Sequence, residues 1–255
     1  MSARFPTTLH RSMAELARHG GETGPHRDGW GVGFFHERDA FVLREPSAAS
    51  WSQWLAFLQD HDPQSGTVIA HIRRATQGAL LLRNSQPFAR ELGGRMHVFA
   101  HNGMLPAIEE DARFATRRFR RVGDTDSEQA FCALLERLAP LWEADEVPSL
   151  EARRAVIARV ARDLRDLGPA NFLYSDGDAL FAHGHRRRND AGEIEPPGLH
   201  LLCRHCTATA DGVDVALVAS VPLSDEPWRA LGEGELVVLR EGRVVAAARV
   251  EAQAD

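Results

Sequence analysis

The sequence predicts an α+β protein in which two sheets face each other and helices cover the outside. Two observations carry that expectation. Strand-like segments come first, two long amphipathic helices follow, and a second series of short strands completes the chain. Turn signals such as Asp176-Gly177 and Glu241-Gly242 separate the later strands at hairpin spacing. No linker, low-complexity stretch or repeat interrupts this order, so residues 1–255 are expected to form one domain. A chain of 255 residues, 44% of them hydrophobic, can bury a substantial core.

Each element has its own signal. Thr7 to His19 has helical periodicity through Leu9, Met13 and Leu16, and Gly20-Gly21 ends it. Gly21 to Asp28 is loop, and Gly29-Trp30-Gly31-Val32-Gly33-Phe34-Phe35 becomes a strand rich in glycine, as happens where a backbone or ligand comes close. A turn at His36 to Asp39 leads to a partner strand, Ala40 to Leu43. Ser50 to Asp60 is a short helix with Trp51, Trp54, Leu55 and Leu58 on an expected core face. Thr67 to Ile72 and His97 to Ala100 are buried strands, the second ending at Asn102-Gly103. Thr125 and Glu128 have capping-box spacing ahead of the stripe Phe131, Leu134, Leu135 and Leu138. Leu150 to Leu167 is a second long helix, stopped by Gly168-Pro169. Strands then follow at Phe172 to Tyr174, Ala179 to Phe181, Leu199 to Leu202, Val215 to Ser220, Glu235 to Arg240 and Val244 to Ala247.

Composition excludes several functions. The net charge of −6 is spread along the chain, so neither a nucleic-acid nor a membrane surface is expected. The triplet Arg186-Arg187-Arg188, followed by Asn189-Asp190, is too short for a basic patch and is expected to be a solvated loop. Every residue among the 30 Lys and Arg is Arg, which removes Schiff-base chemistry and a P-loop lysine. An odd count of 3 Cys, with no signal peptide and no long apolar run, points to a reducing cytoplasm.

A candidate site lies at three element ends. Asn102 and Gly103 offer a side-chain amide and an unobstructed N–H, the two donors of an oxyanion hole. Arg73, just past a strand end, suits a carboxylate, and Thr76 is close enough in sequence to help. Asp126, at a helix start, suits an ammonium. Taken singly, these are a common turn dipeptide, a surface ion pair and an N-terminal cap. Together they describe a site for an α-amino acid with a reacting side-chain carbonyl.

The segments Asp28-Gly29-Trp30-Gly31, His71 to Gly78, His101-Asn102-Gly103 and Asp124 to Glu128 occur in the order found in class II glutamine amidotransferases, and the chain resembles the small stand-alone YafJ-like members. The similarity continues through Ala219-Ser220-Val221-Pro222-Leu223 and Trp228, so it covers nearly the whole chain. It implies the N-terminal-nucleophile hydrolase fold, a four-layer αββα sandwich of two mainly antiparallel sheets. It also implies roles: Arg73 and Thr76 on the glutamine α-carboxylate, Asp126 on the α-ammonium, Asn102 and Gly103 as oxyanion hole, and Gly29 and Trp30 lining the nucleophile's pocket. The implied chemistry is thiol attack on the side-chain amide, a thioester, ammonia release and hydrolysis to glutamate, without metal or cofactor. A separate protein would accept the ammonia where the chain does not simply hydrolyse the amide.

The resemblance fails at the nucleophile. Family members use an N-terminal Cys, whereas position 2 is Ser, and Met1 to Thr7 resembles a segment that lies several residues after that Cys. The expectation is that the Cys belongs to residues preceding this sequence. Cys132, inside an amphipathic helix, is a small core residue. Gln77 and Gln86 stand where relatives often carry His. Cys203 and Cys206, with His200, His205, His183 and His185 nearby, form a weak zinc pattern that the resemblance does not support. Two alternatives stay open: a hydrolase of γ-glutamyl conjugates of the ergothioneine-pathway type, and a non-catalytic amino-acid-binding module.

Overall fold

Alternating apolar residues sort the strands of the computed structural model, which describes residues 1–144, 146–189, 191–206 and 212–251, into two sheets. In chain order the elements are β1 (Ser2–Thr7), α1 (His10–His19), β2 (Trp30–His36), β3 (Asp39–Glu45), α2 (Gln53–His61), β4 (Ser65–Ile72), β5 (Phe88–Leu92) and β6 (Arg95–Gly103). They continue with α3 (Asp126–Leu138), α4 (Leu150–Arg165), β7 (Ala170–Ser175), β8 (Leu180–Gly184), β9 (Arg187–Arg188) and β10 (Ile194–Glu195). The last five are β11 (His200–Cys206), β12 (Val213–Ala219), β13 (Arg229–Ala230), β14 (Glu235–Arg240) and β15 (Arg243–Arg249).

One sheet has the order β13-β11-β12-β1-β4-β2-β3 and the other β15-β14-β8-β7-β6-β5, with β9 and β10 pairing separately. Neighbouring strands run antiparallel throughout both sheets. Ile69, Val98, Ala100, Ala182, Ala216 and Val237 fill the space between the sheets. On the outer face of the β5–β8 sheet, Phe99, Phe172, Tyr174 and Phe181 meet Phe131, Leu135, Ile157 and Leu164 of α3 and α4. On the outer face of the other sheet, Trp30, Val32 and Val68 meet Met13, Leu55 and Leu58 of α1 and α2. Each such side chain contributes about 1.5–3 kcal/mol by leaving water. The result is the expected αββα sandwich.

Several local expectations are corrected. Trp51 and Trp54 are 74% and 57% exposed, not core residues. Ser52 accepts the Leu55 N–H at 3.1 Å and so starts α2 at Gln53, leaving Trp51 in the preceding turn. Leu55 and Leu58 then take the inner face alone. Thr7 belongs to β1, and α1 begins only at His10. The capping box forms by half: the Thr125 hydroxyl accepts the Glu128 N–H at 3.3 Å, while the Glu128 carboxylate accepts from Gly123 N and from Arg90. Arg187 and Arg188 pair with β10 instead of forming open loop, and Asp190 lies outside the described residues. The glycine-rich β2 meets a backbone, because a Cβ on Gly31 would collide with the Gln86 carbonyl. Among the described residues no helix is long and apolar enough to cross a membrane, a statement that does not bear on β-barrels.

The six-stranded sheet also buries polar groups. Arg153 of α4 donates to Asp176 and Asp178 at 2.6 Å each, tying the helix to the β7–β8 turn. His97 sits between the Tyr174 hydroxyl at 2.6 Å and the Leu92 carbonyl at 3.0 Å. A carbonyl can only accept, so Nε2 carries the proton and Nδ1 receives the phenol's. Burial pushes the His97 pKa down to about 4, and those of His71 and His183 to about 3. Such groups protonate more readily in the unfolded chain. Their stabilisation is therefore complete above about pH 6.5 and is lost as pH falls from there toward the folded values. Urea unfolding should show stability dropping between pH 6.5 and 5 by about 1.4 kcal/mol per pH unit per buried histidine. His97→Gln should flatten that slope; an unchanged slope would show that His97 is not a contributor.

Candidate functional site

The ends of β4, β6 and α3 are joined by hydrogen bonds, and this is what brings the sequence-predicted residues together. Past the end of β4, Arg73 N donates to Gly29 O at 2.7 Å, Asp28 N to Arg73 O at 3.0 Å, and Ala75 N to the Asp28 carboxylate at 2.7 Å. The 28–29 and 73–75 segments are thus clasped side by side. Gly29 has φ +142°, where a side chain would be strained, and a Cβ there would press on Ser85 and the Glu45 carbonyl. Trp30 points away from this clasp, its indole buried against α1 and α2 and its Nε1 donating to Glu45 at 2.9 Å.

Arg73 is only 4% exposed. Its guanidinium donates to the carbonyls of Gln77 at 2.7 Å, Gly78 at 3.2 Å, Asp28 at 3.3 Å and Ala79 at 3.4 Å. Among the described residues it has no carboxylate bridge; Asp28 favours its charge from nearby, while burial pulls its pKa down. A buried cation held by neutral dipoles keeps a charge that an anion nearby would offset. Thr76 lies exposed on the same loop.

Asn84, fully buried, fastens that loop to the start of α3. Its amide donates to Ala79 O at 3.0 Å, and its Oδ1 accepts from Asp124 N at 2.8 Å. Two residues later, Asp126 is 5% exposed. Its Oδ1 accepts from Ser127 N and its Oδ2 from Leu105 N, both at 2.7 Å. Leu105 follows Gly103 by two residues, so the helix start is bound to the end of β6. Each carboxylate oxygen keeps a further lone pair for a ligand.

On β6, Asn102 is exposed and Gly103 half-buried, while His101 between them and the core is buried. The Gln86 side chain mimics a strand here, accepting from His101 N at 2.6 Å and donating to His101 O at 3.1 Å. Asn171 of β7 donates to Asn102 O at 2.9 Å and to Arg186 O at 2.7 Å, and accepts from His185 N at 2.7 Å. Gly103 faces the Pro169 carbonyl so closely that any Cβ would overlap it. Gln86, Asn84, Asn171, His101 and Ser127 hold the site together, although none was assigned a role from sequence. Gln86 comes opposite His101 because Phe88 pairs with Phe99, a register that no sequence spacing records.

The thiols lie elsewhere. Cys132 is in the α3 core, where burial pushes its pKa up to about 11. Cys203 and Cys206 are three residues apart on β11, so they point to opposite faces of the strand. Their neighbour His205 contacts Asp214 at 2.7 Å, and no group of three metal-ligating side chains converges among the described residues.

The fold is that of N-terminal-nucleophile amidotransferases. The Bacillus subtilis glutamine phosphoribosylpyrophosphate amidotransferase aligns over 98% of this chain and 49% of its own with TM-score 0.60, and at 13% identity this is a likeness of fold alone. Sequence narrows the class. The model of the family described as "Glutamine amidotransferases class-II" matches residues 1–255, and the chain belongs to that family. It is 35% identical to an Escherichia coli K12 protein named as a glutamine amidotransferase, YafJ, covering 92% of this chain and 93% of that protein. A Haemophilus influenzae protein, also named as a glutamine amidotransferase, is 31% identical over 96% of this chain and 84% of its own. A crystal structure described as a predicted glutamine amidotransferase from Pseudomonas aeruginosa PA01 is 33% identical, covers 95% of this chain and 94% of its own, and has TM-score 0.64.

Gly103→Ala tests how closely β6 and the Pro169 segment are packed. The variant should unfold at lower urea, costing about 1–3 kcal/mol for overpacking. Unchanged stability would show that the contact relaxes without cost.

Proposed function

We propose that this chain is the glutamine-binding body of an amidohydrolase that releases ammonia from glutamine through a thioester. The carrying observation is Arg73: a buried guanidinium, without a carboxylate bridge among the described residues, is fastened to the loop that leads to a buried Asp126. A cation and an anion so fixed fit the α-carboxylate and α-ammonium of an amino acid. In this reading Thr76 joins Arg73 on the carboxylate. The ligand's side-chain carbonyl then lies toward the Asn102 amide and the Gly103 N–H, which take up its charge as the carbon is attacked.

The attacking thiol would belong to an N-terminal Cys that precedes Met1, with its own α-amine as base. The sheet register supports this position. Ser2 lies opposite Thr67 on β4, and Met1 exchanges backbone hydrogen bonds with Val68. Each residue added before Met1 would step along β4 toward Ile72 and Arg73. Attack forms the C–S bond, the C–N bond breaks, and the amide nitrogen leaves as ammonia with the proton held by the base. Water then cleaves the thioester to glutamate.

One observation favours a γ-glutamyl amide with an apolar substituent as an alternative substrate. Leu80, Leu81 and Leu82, next to the Arg73-holding carbonyls, and Met104, next to Gly103, are all exposed. They offer apolar surface to a leaving group larger than ammonia.

The test is a chain extended at its N-terminus so that it begins with Cys after Met removal. It should form glutamate from glutamine, and the same extension beginning with Ala should not. Faster turnover of γ-glutamyl anilide than of glutamine would move the substrate to substituted amides. Glutamine binding without turnover in the Cys-bearing chain would contradict the hydrolase and leave a binding module.

A further inference from the structure

We infer that His101 is a positioning residue that keeps Asp126 open for an ammonium by holding the Ser127 hydroxyl away from it. The inference rests on the reading of Asp126 as the ammonium site and adds how that site is kept receptive.

His101 Nε2 faces the Pro169 carbonyl at 3.2 Å, and Nδ1 faces the Ser127 hydroxyl at 2.9 Å. The carbonyl cannot donate, so Nε2 bears a proton. The ring is fully enclosed and burial lowers its pKa, so it is neutral and Nδ1 is bare. The Ser127 hydroxyl must therefore donate to Nδ1. That hydroxyl also lies 3.3 Å from Asp126 Oδ1, but it has one proton and His101 has claimed it.

The alternative arrangement has a consequence for binding. Oδ1 already accepts from Ser127 N, and Oδ2 from Leu105 N. A second donor on Oδ1 would fill its remaining lone pair and neutralise part of the charge that attracts an ammonium. His101 prevents this from within the core. The same residue is clasped through its backbone by Gln86, one position before Asn102. The oxyanion strand, through the His101 backbone, and the ammonium site, through its imidazole, thus meet at one residue.

The test compares L-glutamine with glutaramate, which differs only in lacking the α-amino group, by calorimetric titration of the full chain. The wild type should prefer glutamine by about tenfold or more, the size of one hydrogen bond between charged groups. His101→Leu offers no acceptor to Ser127 and should reduce that preference to about twofold or less. Ser127→Ala removes the competing hydroxyl and should keep it. The double variant should regain it, because the donor that His101 restrains is gone. A double variant as indiscriminate as His101→Leu, or a His101→Leu that still discriminates, would overturn the inference and leave His101 a packing residue. Should His101→Leu fail to fold, His101→Phe, which keeps a ring but offers no acceptor, takes its place: lost preference supports the restraint, and preserved preference overturns it. A wild type that binds glutamine and glutaramate equally would instead overturn the ammonium site itself.

Discussion

Burying the Arg73 guanidinium is the constraint that the surrounding loops are built to satisfy. A charge removed from water without a partner is strongly destabilising, and here main-chain carbonyls from Gln77, Gly78, Ala79 and Asp28 offset that cost. To supply them, the chain must wrap tightly after β4, and the wrapped loop must be anchored. Asn84 provides the anchor by joining Ala79 to Asp124. The same fastening brings the start of α3 alongside the end of β4. Asp126 then binds Leu105, which draws in the end of β6. A single buried cation thereby organises one strand end from each sheet and the start of a helix.

This arrangement also explains why so many polar groups are buried at one end of the sandwich. Gln86, Asn171 and His101 meet backbone groups around the end of β6, and Ser127 meets the Asp126 carboxylate at the start of α3. Such a network keeps its stability only when every member is paired, so it fixes one geometry. What it leaves for a ligand is the exposed Asn102 side chain and the remaining lone pairs of the buried Asp126, beside a buried guanidinium held by carbonyls alone. Those are the groups an amino acid would engage.

Much of the fold was legible because apolar periodicity and turn residues are local signals. The stripe of α3, the Gly168-Pro169 stop and the paired strands near the C-terminus all formed close to their expected bounds. The exposed Trp51 and Trp54 were misread because hydrophobicity marks a core face only when the helix phase is known, and Ser52 set that phase. The positions of Arg73, Asn102, Gly103 and Asp126 at element ends were legible for the same local reason. The residues that fasten those ends together were not. Gln86 and Asn171 act through long-range backbone contacts, and no spacing in the sequence records which carbonyl a side-chain amide will meet.

On the proposed function, three fixed element ends form one stereospecific amino-acid site. The most direct measurement is a calorimetric titration of the chain with L-glutamine and, separately, D-glutamine. Three-point attachment at Arg73, Asp126 and Asn102 predicts saturable binding of the L-enantiomer and at least about tenfold weaker binding of the D-enantiomer. Equal affinity for the two, or no heat from either, would contradict a site built from these three ends.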